Sequence, residues 1–252
     1  MTSGRSQAAN ARLEAIRRAD RPRAHTGDSH TEVAIFEATE RLLGHVRLQD
    51  LSVAQIVEAA GVSRATFYFY FSSKYAVVTG LLAQVMDEIF DVVRPFVRRT
   101  GKTVPEQPLL ESLTAAAEVW TAHRASLGAV MEHWHAVPEL QTLWLGVVRR
   151  FADGLALEIE RERARGLVPP GIDSRQLATA LIWATERCLY VAGVHADDHV
   201  PDERSCVEPL LALWLGVIYG PARGARGTRR ARGSASPRSR RSTAPASRQR
   251  RS

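Results

Sequence analysis

One short segment of the chain carries side chains suited to contacting double-stranded DNA. Arg64 can donate two hydrogen bonds to a guanine edge, and Ala65 or the ring of Tyr68 can contact a thymine methyl group. Thr66, Tyr68 and Lys74 can bind phosphate oxygens, which fixes the register of a protein on the duplex. The predicted DNA-binding residues are Ser52, Ser63, Arg64, Ala65, Thr66, Tyr68, Tyr70 and Lys74.

The residues around this segment predict a helix-turn-helix motif. Ser52 is a suitable N-cap for a first short helix, and Ser63 can cap a second one. Gly61 stands between them, where a tight turn requires a positive φ. Two short helices joined in this way leave the second free to enter the major groove. Phe67 and Phe71, four residues apart on that second helix, are predicted to face the core.

Residues 61–77 resemble the TetR family of bacterial regulators. They read Gly-Val-Ser, two variable residues, a hydroxyl residue, an apolar residue, Tyr, two variable residues, Phe, and then Lys just before the next helix. The likeness extends at lower density over residues 28–220, and the aromatic run at 67–71 is similar to one member of the family in particular. The resemblance implies a repressor with an N-terminal DNA-binding domain. It also implies a C-terminal domain that dimerises through its last two long helices and encloses a small-molecule pocket.

The same resemblance indicates which residues line that pocket. All five tryptophans lie between residues 120 and 214, in the part of the chain that would form it. Ile182 and Thr185 stand where the family member carries asparagines, which favours a different or more apolar ligand. Any one of these aromatic residues could instead be ordinary core. The predicted ligand-binding residues are Leu109, Leu113, Trp120, Trp144, Val148, Phe151, Ile182, Thr185, Tyr190 and Trp214.

Hydrophobic spacing predicts an all-α protein of about nine helices. Between the two ends of the chain, apolar residues recur at intervals of three and four, and stretches rich in Pro and Gly separate the runs. The first helix is expected from Thr31 to Leu43 and the fourth from Ser73 to Val93. We predict a three-helix DNA-binding domain at 28–75 and a helical ligand-binding and dimerisation domain at 76–220.

Basic residues concentrate at the two ends of the chain. Residues 221–252 contain 11 arginines and no acidic residue, and residues 1–27 contain six arginines and two acidic residues. The body between them holds 17 basic and 25 acidic residues, so the net charge of +7 comes from the ends. Large apolar residues are scarce in both, which predicts a disordered basic arm and a disordered Arg-rich tail. The tail could bind nucleic acid without sequence preference or remain solvated.

Composition restricts the class of protein further. A chain of 252 residues that is 45% hydrophobic can bury a core. Two cysteines, Cys188 and Cys206, exclude a disulfide-stapled scaffold and a four-thiolate zinc site. No apolar run reaches the roughly 18–20 residues that cross a bilayer, and Met1 to Asp20 does not resemble a signal peptide. We expect a cytoplasmic protein without a membrane partner or a cofactor.

Two other classes of function remain open. One is an enzyme or small-molecule carrier on an all-α fold, for which His195, Asp197, Asp198 and His199 could supply metal ligands. A solvated loop before Pro201 is the favoured interpretation of that segment, so we predict neither a metal site nor an enzyme. The other is a nucleoid-associated protein that binds DNA without specificity through its arginines. It would bind with steep salt dependence, whereas a repressor prefers a palindromic operator.

Overall fold

The computed structural model describes residues 29–97 and 103–220. The predicted basic arm at 1–27 and the Arg-rich tail at 221–252 lie outside the described residues. Within the described ranges the chain forms nine α-helices and one short 3-10 helix, which confirms the prediction of an all-α fold. The domain boundaries predicted at 28–75 and 76–220 remain predictions.

The first three helices form the helix-turn-helix module: α1 (Ser29–Leu43), α2 (Val53–Ala60) and α3 (Arg64–Tyr70). The Ser52 hydroxyl accepts a hydrogen bond from the Gln55 amide at 3.3 Å, and Gln55 Oε1 accepts one from the Ser52 amide at 2.8 Å. This reciprocal capping box starts α2. Gly61 ends α2 with a φ of 66°, the left-handed conformation that the turn requires.

Six further helices follow: α4 (Lys74–Val97), α5 (Glu106–Ala122), α6 (Arg124–His133), α7 (Pro138–Ala164), α8 (Ser174–Gly193) and α9 (Val207–Tyr219). The 3-10 helix Glu203–Cys206 leads directly into α9. Helix α4 extends beyond the predicted end at Val93, because its apolar spacing continues to Phe96, which is buried.

Aromatic packing builds the core of the module and joins it to α4. Phe67 is fully buried, and the rings of Phe36 and Phe71 meet edge to face with centroids 5.3 Å apart. A β-carbon at Gly80 would lie 2.9 Å from the Phe36 ring. Glycine at this position therefore lets α4 approach α1 closely enough to complete the core.

The remaining helices enclose a second apolar interior. Helix α7 packs along α8, α4 packs along α5, and α9 lies against α5. Their inward faces carry fully buried side chains such as Leu109, Leu140 and Ile159. Among the described residues, no helix is long and apolar enough to cross a membrane.

Candidate DNA-binding surface and ligand cavity

Helix α3 presents one outward face that is free to meet DNA. Arg64, Ala65, Tyr68 and Phe69 are exposed, whereas Phe67 on the opposite side is fully buried. The Arg64 guanidinium lies 6.0 Å from the centroid of the Tyr68 ring. A cation and an aromatic ring at this distance attract each other, which orients Arg64 along the exposed face.

Two of the predicted DNA-contacting residues, Ser52 and Ser63, are the N-caps of helices α2 and α3. Ser63 accepts a hydrogen bond from the Thr66 amide at 3.0 Å, and the two hydroxyl oxygens lie 2.7 Å apart. Ser52 caps α2 in the same manner. These bonds hold α2 and α3 in place relative to the turn. Direct contacts from Ser52, Ser63 and Thr66 to DNA remain predictions.

Lys74 has a structural task that its predicted role did not include. Its ammonium donates hydrogen bonds to three carbonyl oxygens, those of Leu48, Gln49 and Leu51, at 2.7 to 2.9 Å. Desolvation lowers the pKa of Lys74, while Asp50 opposes the shift. The three N–H bonds of an ammonium are thereby all engaged. Lys74 thus clamps the loop between α1 and α2, and its contact with a DNA phosphate remains a prediction.

Two aromatic residues near the end of α3 differ in exposure from the sequence prediction, and contact of Tyr70 with DNA remains a prediction. Tyr70, predicted to face outward, is half-buried against the core, with its ring between those of Phe69 and Phe71. Phe69, which the prediction omitted, is 47% exposed. Residues 64, 65, 68 and 69 lie on one face of the helix, opposite Phe67. Because Phe67 was predicted to be buried, Phe69 could have been assigned to the exposed face from spacing alone.

The second candidate site is a cavity of about 110 Å³, the space in which the centre of a water-sized sphere can move. It lies between helices α4, α5, α7, α8 and α9. Its walls are almost entirely apolar, as small-molecule sites commonly are. The lining residues are Met86, Ile89, Val93, Phe96, Leu109, Ser112, Leu113, Ala116, Trp120, Trp144, Val147, Val148, Phe151, Leu155, Ile182, Thr185, Glu186, Leu189 and Trp214.

Nine of the ten predicted ligand-binding residues lie in this wall. The exception is Tyr190, whose ring lies 5.0 Å from the Arg187 guanidinium and outside the lining. Ile182, Thr185, Glu186 and Leu189 form the cavity face of α8 at helical spacing. Tyr190 follows Leu189 by one residue, which places it about 100° further around the helix than Leu189, and it does not reach the cavity.

Sequence reasoning missed the contribution of α4. Met86, Ile89, Val93 and Phe96 repeat at intervals of three and four residues along the side of α4 that faces the cavity. The periodicity was visible in the sequence, but it did not distinguish a cavity wall from a core face. Glu186 was missed as well, because a glutamate beside an arginine in the sequence is typical of an exposed helix surface.

The polar groups in the wall differ in whether they have hydrogen-bond partners. The Trp214 indole donates a hydrogen bond to the Thr185 hydroxyl at 3.0 Å, and that hydroxyl donates to the Leu181 carbonyl at 2.9 Å. Trp144 Nε1 and both carboxyl oxygens of Glu186 are buried without a hydrogen-bond partner in the part of the chain that the structure describes. Burial raises the pKa of Glu186, and Arg187 opposes the shift.

A polar cluster connects the module to the helices around the cavity. His123, between α5 and α6, has its Nδ1 2.8 Å from the Glu40 carboxylate on α1 and its Nε2 3.4 Å from the Glu88 carboxylate on α4. Ser126 donates a hydrogen bond to the same Glu40 oxygen at 2.8 Å. We call these four residues the Glu40 cluster. It joins α1, α4 and α6 by contacts that both sites can influence.

A buried ion pair lies next to this cluster. Arg124 donates two hydrogen bonds to the fully buried Glu203, at 2.8 and 2.6 Å, and Thr121 donates a third at 3.2 Å. Burial raises the pKa of Glu203, but the hydrogen bond from Arg124 and the other donors outweigh it and lower the pKa overall. The pair fixes the corner between α5 and α6 against the 3-10 helix that leads into α9.

The remaining candidate residues occupy structural positions. His199 is 95% exposed and bonds Asp197 at 3.1 Å, while His195 Nδ1 lies 2.9 Å from the Pro201 carbonyl. Within the described ranges, no group of three or more His, Cys, Asp or Glu side chains is arranged to hold a metal. The buried Cys206 thiol donates to the Cys188 carbonyl at 3.4 Å, and burial raises its pKa to about 12.

The sequence of the chain matches two models of known protein families. Residues 35–81 match the model described as bacterial regulatory proteins, tetR family, and residues 109–220 match the model described as transcriptional regulator EthR, C-terminal domain. The HTH-type transcriptional regulator EthR of Mycobacterium tuberculosis is 32% identical over 218 residues, which cover 86% of this chain and 99% of that protein. The chain belongs to the TetR family. It is a helix-turn-helix transcriptional regulator.

Other relatives of this TetR-family regulator agree with that assignment. EthR of Mycolicibacterium smegmatis is 31% identical over 207 residues, covering 81% of this chain and 91% of that one. EthR is also the family member that the aromatic run at 67–71 resembles, so that prediction is confirmed. The solved structure of the fatty acid degradation regulator FadR from Bacillus halodurans shares the fold. Its TM-score is 0.64 at 19% identity, over 76% of this chain and 97% of that one.

Proposed function

We propose that this regulator is a cytoplasmic repressor that binds a palindromic operator as a homodimer and leaves it when an apolar small molecule fills the cavity. The observation that carries the proposal is the placement of α4. This helix begins four residues after α3 ends, and its far half lines the cavity. At 1.5 Å per residue its 24 residues span about 36 Å, so one rigid element reaches from the DNA-binding surface to the ligand site.

Release from DNA follows from the geometry that an operator imposes. Two reading helices of a symmetric dimer must match half-sites about 34–36 Å apart. A ligand that separates the walls of the cavity displaces α4 and, with it, the module that α4 supports. The ligand shifts the equilibrium only by its differential affinity for the two conformations, commonly about 1–3 kcal/mol.

Dimerisation is supported by an apolar face on α9. Leu213 and Val217, four residues apart on one side of the helix, are 41% and 45% exposed in the single chain. An apolar stripe of this kind on a soluble protein usually marks an interface. A twofold pairing of α9 and α8 would cover it and present two copies of α3 to a palindrome.

A selection of bound fragments from random DNA tests the first half of the proposal. We expect one palindromic sequence to be enriched and to bind on the order of 10³-fold more tightly than random DNA. Equal binding of all sequences with a steep salt dependence would instead identify a nonspecific DNA-binding protein. Apolar compounds that quench tryptophan fluorescence are then tested for release of the selected DNA.

A cavity-filling variant tests the second half. Thr185→Trp should abolish the response to the ligand while operator binding persists, because the larger ring occupies the space beside Trp214. Glu118→Trp on the exposed side of α5 is the matched control, since Glu118 does not line the cavity. A normal response of Thr185→Trp would place the ligand elsewhere.

A further inference from the structure

Glu186 is placed unusually for a carboxyl group. It lies in the wall of an apolar cavity, is 95% buried, and neither of its oxygens has a hydrogen-bond partner among residues 29–97 and 103–220. A buried carboxyl group without hydrogen bonds destabilises a fold, so proteins seldom keep one unless a partner arrives from elsewhere. The cavity is the space from which that partner can come.

The nearest cation does not satisfy this carboxyl group. Arg187 Nη2 lies 3.9 Å from Glu186 Oε1, beyond hydrogen-bond distance, and the Arg187 side chain is 54% exposed. Its guanidinium also lies 5.0 Å from the centroid of the Tyr190 ring, and neither Arg187 nor Tyr190 lines the cavity. Arg187 therefore reduces the free-energy cost of burying the Glu186 carboxyl group, but it does not form the missing hydrogen bonds.

The same cavity wall contains a complementary group that also lacks a partner. Trp144 is 3% exposed, and its indole N–H has no acceptor within the described part of the chain. The second indole of the wall, Trp214, is already bonded to Thr185 at 3.0 Å. The wall thus satisfies one pair of its polar groups internally. It leaves one donor, the Trp144 indole, and one acceptor, the Glu186 carboxyl group, without a partner among the described residues.

We propose that Glu186 and Trp144 form a polar subsite that recognises a neutral group with a hydrogen-bond donor next to an acceptor, such as an amide, on an otherwise apolar ligand. The inference rests on the proposed function and specifies its ligand. The N–H of such a group donates to Glu186, and its carbonyl oxygen accepts from Trp144. A carboxylate ligand would meet Glu186 with like charge, and an ammonium would offer Trp144 no acceptor.

Matched probes of one length test this assignment on the full chain by titration calorimetry. N-heptylacetamide and heptyl acetate have nearly the same shape, but only the amide carries an N–H. We expect the amide to bind at least about tenfold more tightly, because a hydrogen bond to a carboxyl group in an apolar site contributes at least that factor. Octylammonium and octanoate serve as the charged probes and should bind more weakly than the amide.

Substitutions separate the two halves of the subsite. Glu186→Leu should reduce the preference for amide over ester to less than about twofold, and Glu186→Gln, which keeps an acceptor oxygen, should retain part of it. Trp144→Phe should weaken amide and ester alike, because both carry the carbonyl. Glu118→Gln, an exposed glutamate on α5, is the control and should leave every affinity unchanged.

The stability of the unliganded protein gives an independent readout. Glu186→Leu removes the unsatisfied carboxyl group and should raise the melting temperature by about 2–4 °C or more. The amide should raise the melting temperature of the wild type and have little effect on Glu186→Leu. A Glu186→Leu protein that melts below the wild type would show that the carboxyl group has internal partners, which contradicts the proposal.

The outcomes distinguish failure of the subsite from failure of the regulatory function. Equal affinity of the wild type for amide and ester, an unchanged ratio in Glu186→Leu, or tightest binding of octylammonium would overturn the subsite and leave an apolar effector cavity intact. Failure of both neutral probes to bind up to their solubility would overturn the subsite and the proposed cavity together.

Discussion

The DNA-binding surface and the cavity use aromatic side chains in opposite ways. On α3, Tyr68 and Phe69 are 46% and 47% exposed, while the hydroxyl groups beside them are already engaged in helix caps. In the cavity, Trp144 and Trp214 are almost completely buried, and polar groups in the same wall lack partners. A surface that meets a large charged partner can keep its polar groups in contact with solvent until the partner arrives, whereas burial in an apolar wall makes an unpaired polar group costly.

The two regions also differ in what holds them together. The module depends on short-range features: two caps, one glycine turn and a small aromatic core. The cavity depends on five helices, and its lining residues range from position 86 to position 214. The Glu40 cluster and α4 connect the regions, so changes on either side should be transmitted at those places first.

The largest effect should come from a substitution far from the DNA-binding surface. Leu213→Asp on the exposed apolar face of α9 should give monomers and reduce operator affinity on the order of 10³-fold, because only a dimer presents two reading helices. Sedimentation and DNA binding measure both properties. Ile172→Asp, at a residue that is 63% exposed in a loop, is the control and should leave the dimer intact. A Leu213→Asp protein that remains dimeric would remove α9 from the interface.

A smaller effect is expected on α3 itself. Arg64→Ala should cost about 1–3 kcal/mol of operator binding and relax the preference at one base pair, because Arg64 lies on the exposed reading face. Selection from random DNA before and after the substitution measures the change. Unchanged preference would show that another side chain, with Phe69 the first candidate, reads the bases.

A substitution in the Glu40 cluster should change the coupling between ligand binding and DNA binding more than it changes either affinity alone. His123→Ala removes the contacts to Glu40 and Glu88 and should reduce the effect of ligand on DNA affinity by about three- to tenfold, a large part of a typical coupling. Each affinity measured alone should change by less than about twofold. His133→Ala is the control, because the one hydrogen bond of the His133 ring within residues 29–97 and 103–220 is to the Ala129 carbonyl of its own helix. If His123→Ala keeps full coupling, α4 alone transmits the signal.

The smallest effect on DNA preference should come from Lys74. Lys74→Met removes three hydrogen bonds to the loop before α2 and should lower the stability by about 1–2 kcal/mol, seen as a drop of a few degrees in melting temperature. Affinity should fall equally for all DNA sequences. A reduced salt dependence of binding with unchanged melting temperature would support the predicted phosphate contact instead of the loop clamp.

The helix-turn-helix module could be predicted from local sequence signals. Caps, the turn glycine and the inward phenylalanines act over a few residues, so Ser52, Gly61, Ser63 and Phe67 could be assigned from spacing alone. The all-α class followed for the same reason, since three- and four-residue periodicity is a local signal. The predicted tails at both ends rest on composition and lie outside the described residues.

The faces of the longer helices could be assigned to core, cavity or surface only once their packing was known. Spacing marked α4 and α8 as amphipathic, but it could not show that Met86 lines a cavity or that Tyr190 lies outside the lining. It could not show that the Lys74 ammonium is engaged by three carbonyls, or that Glu186 is buried without hydrogen bonds. These properties depend on residues distant in sequence, and the burial of a charge is set by what packs around it.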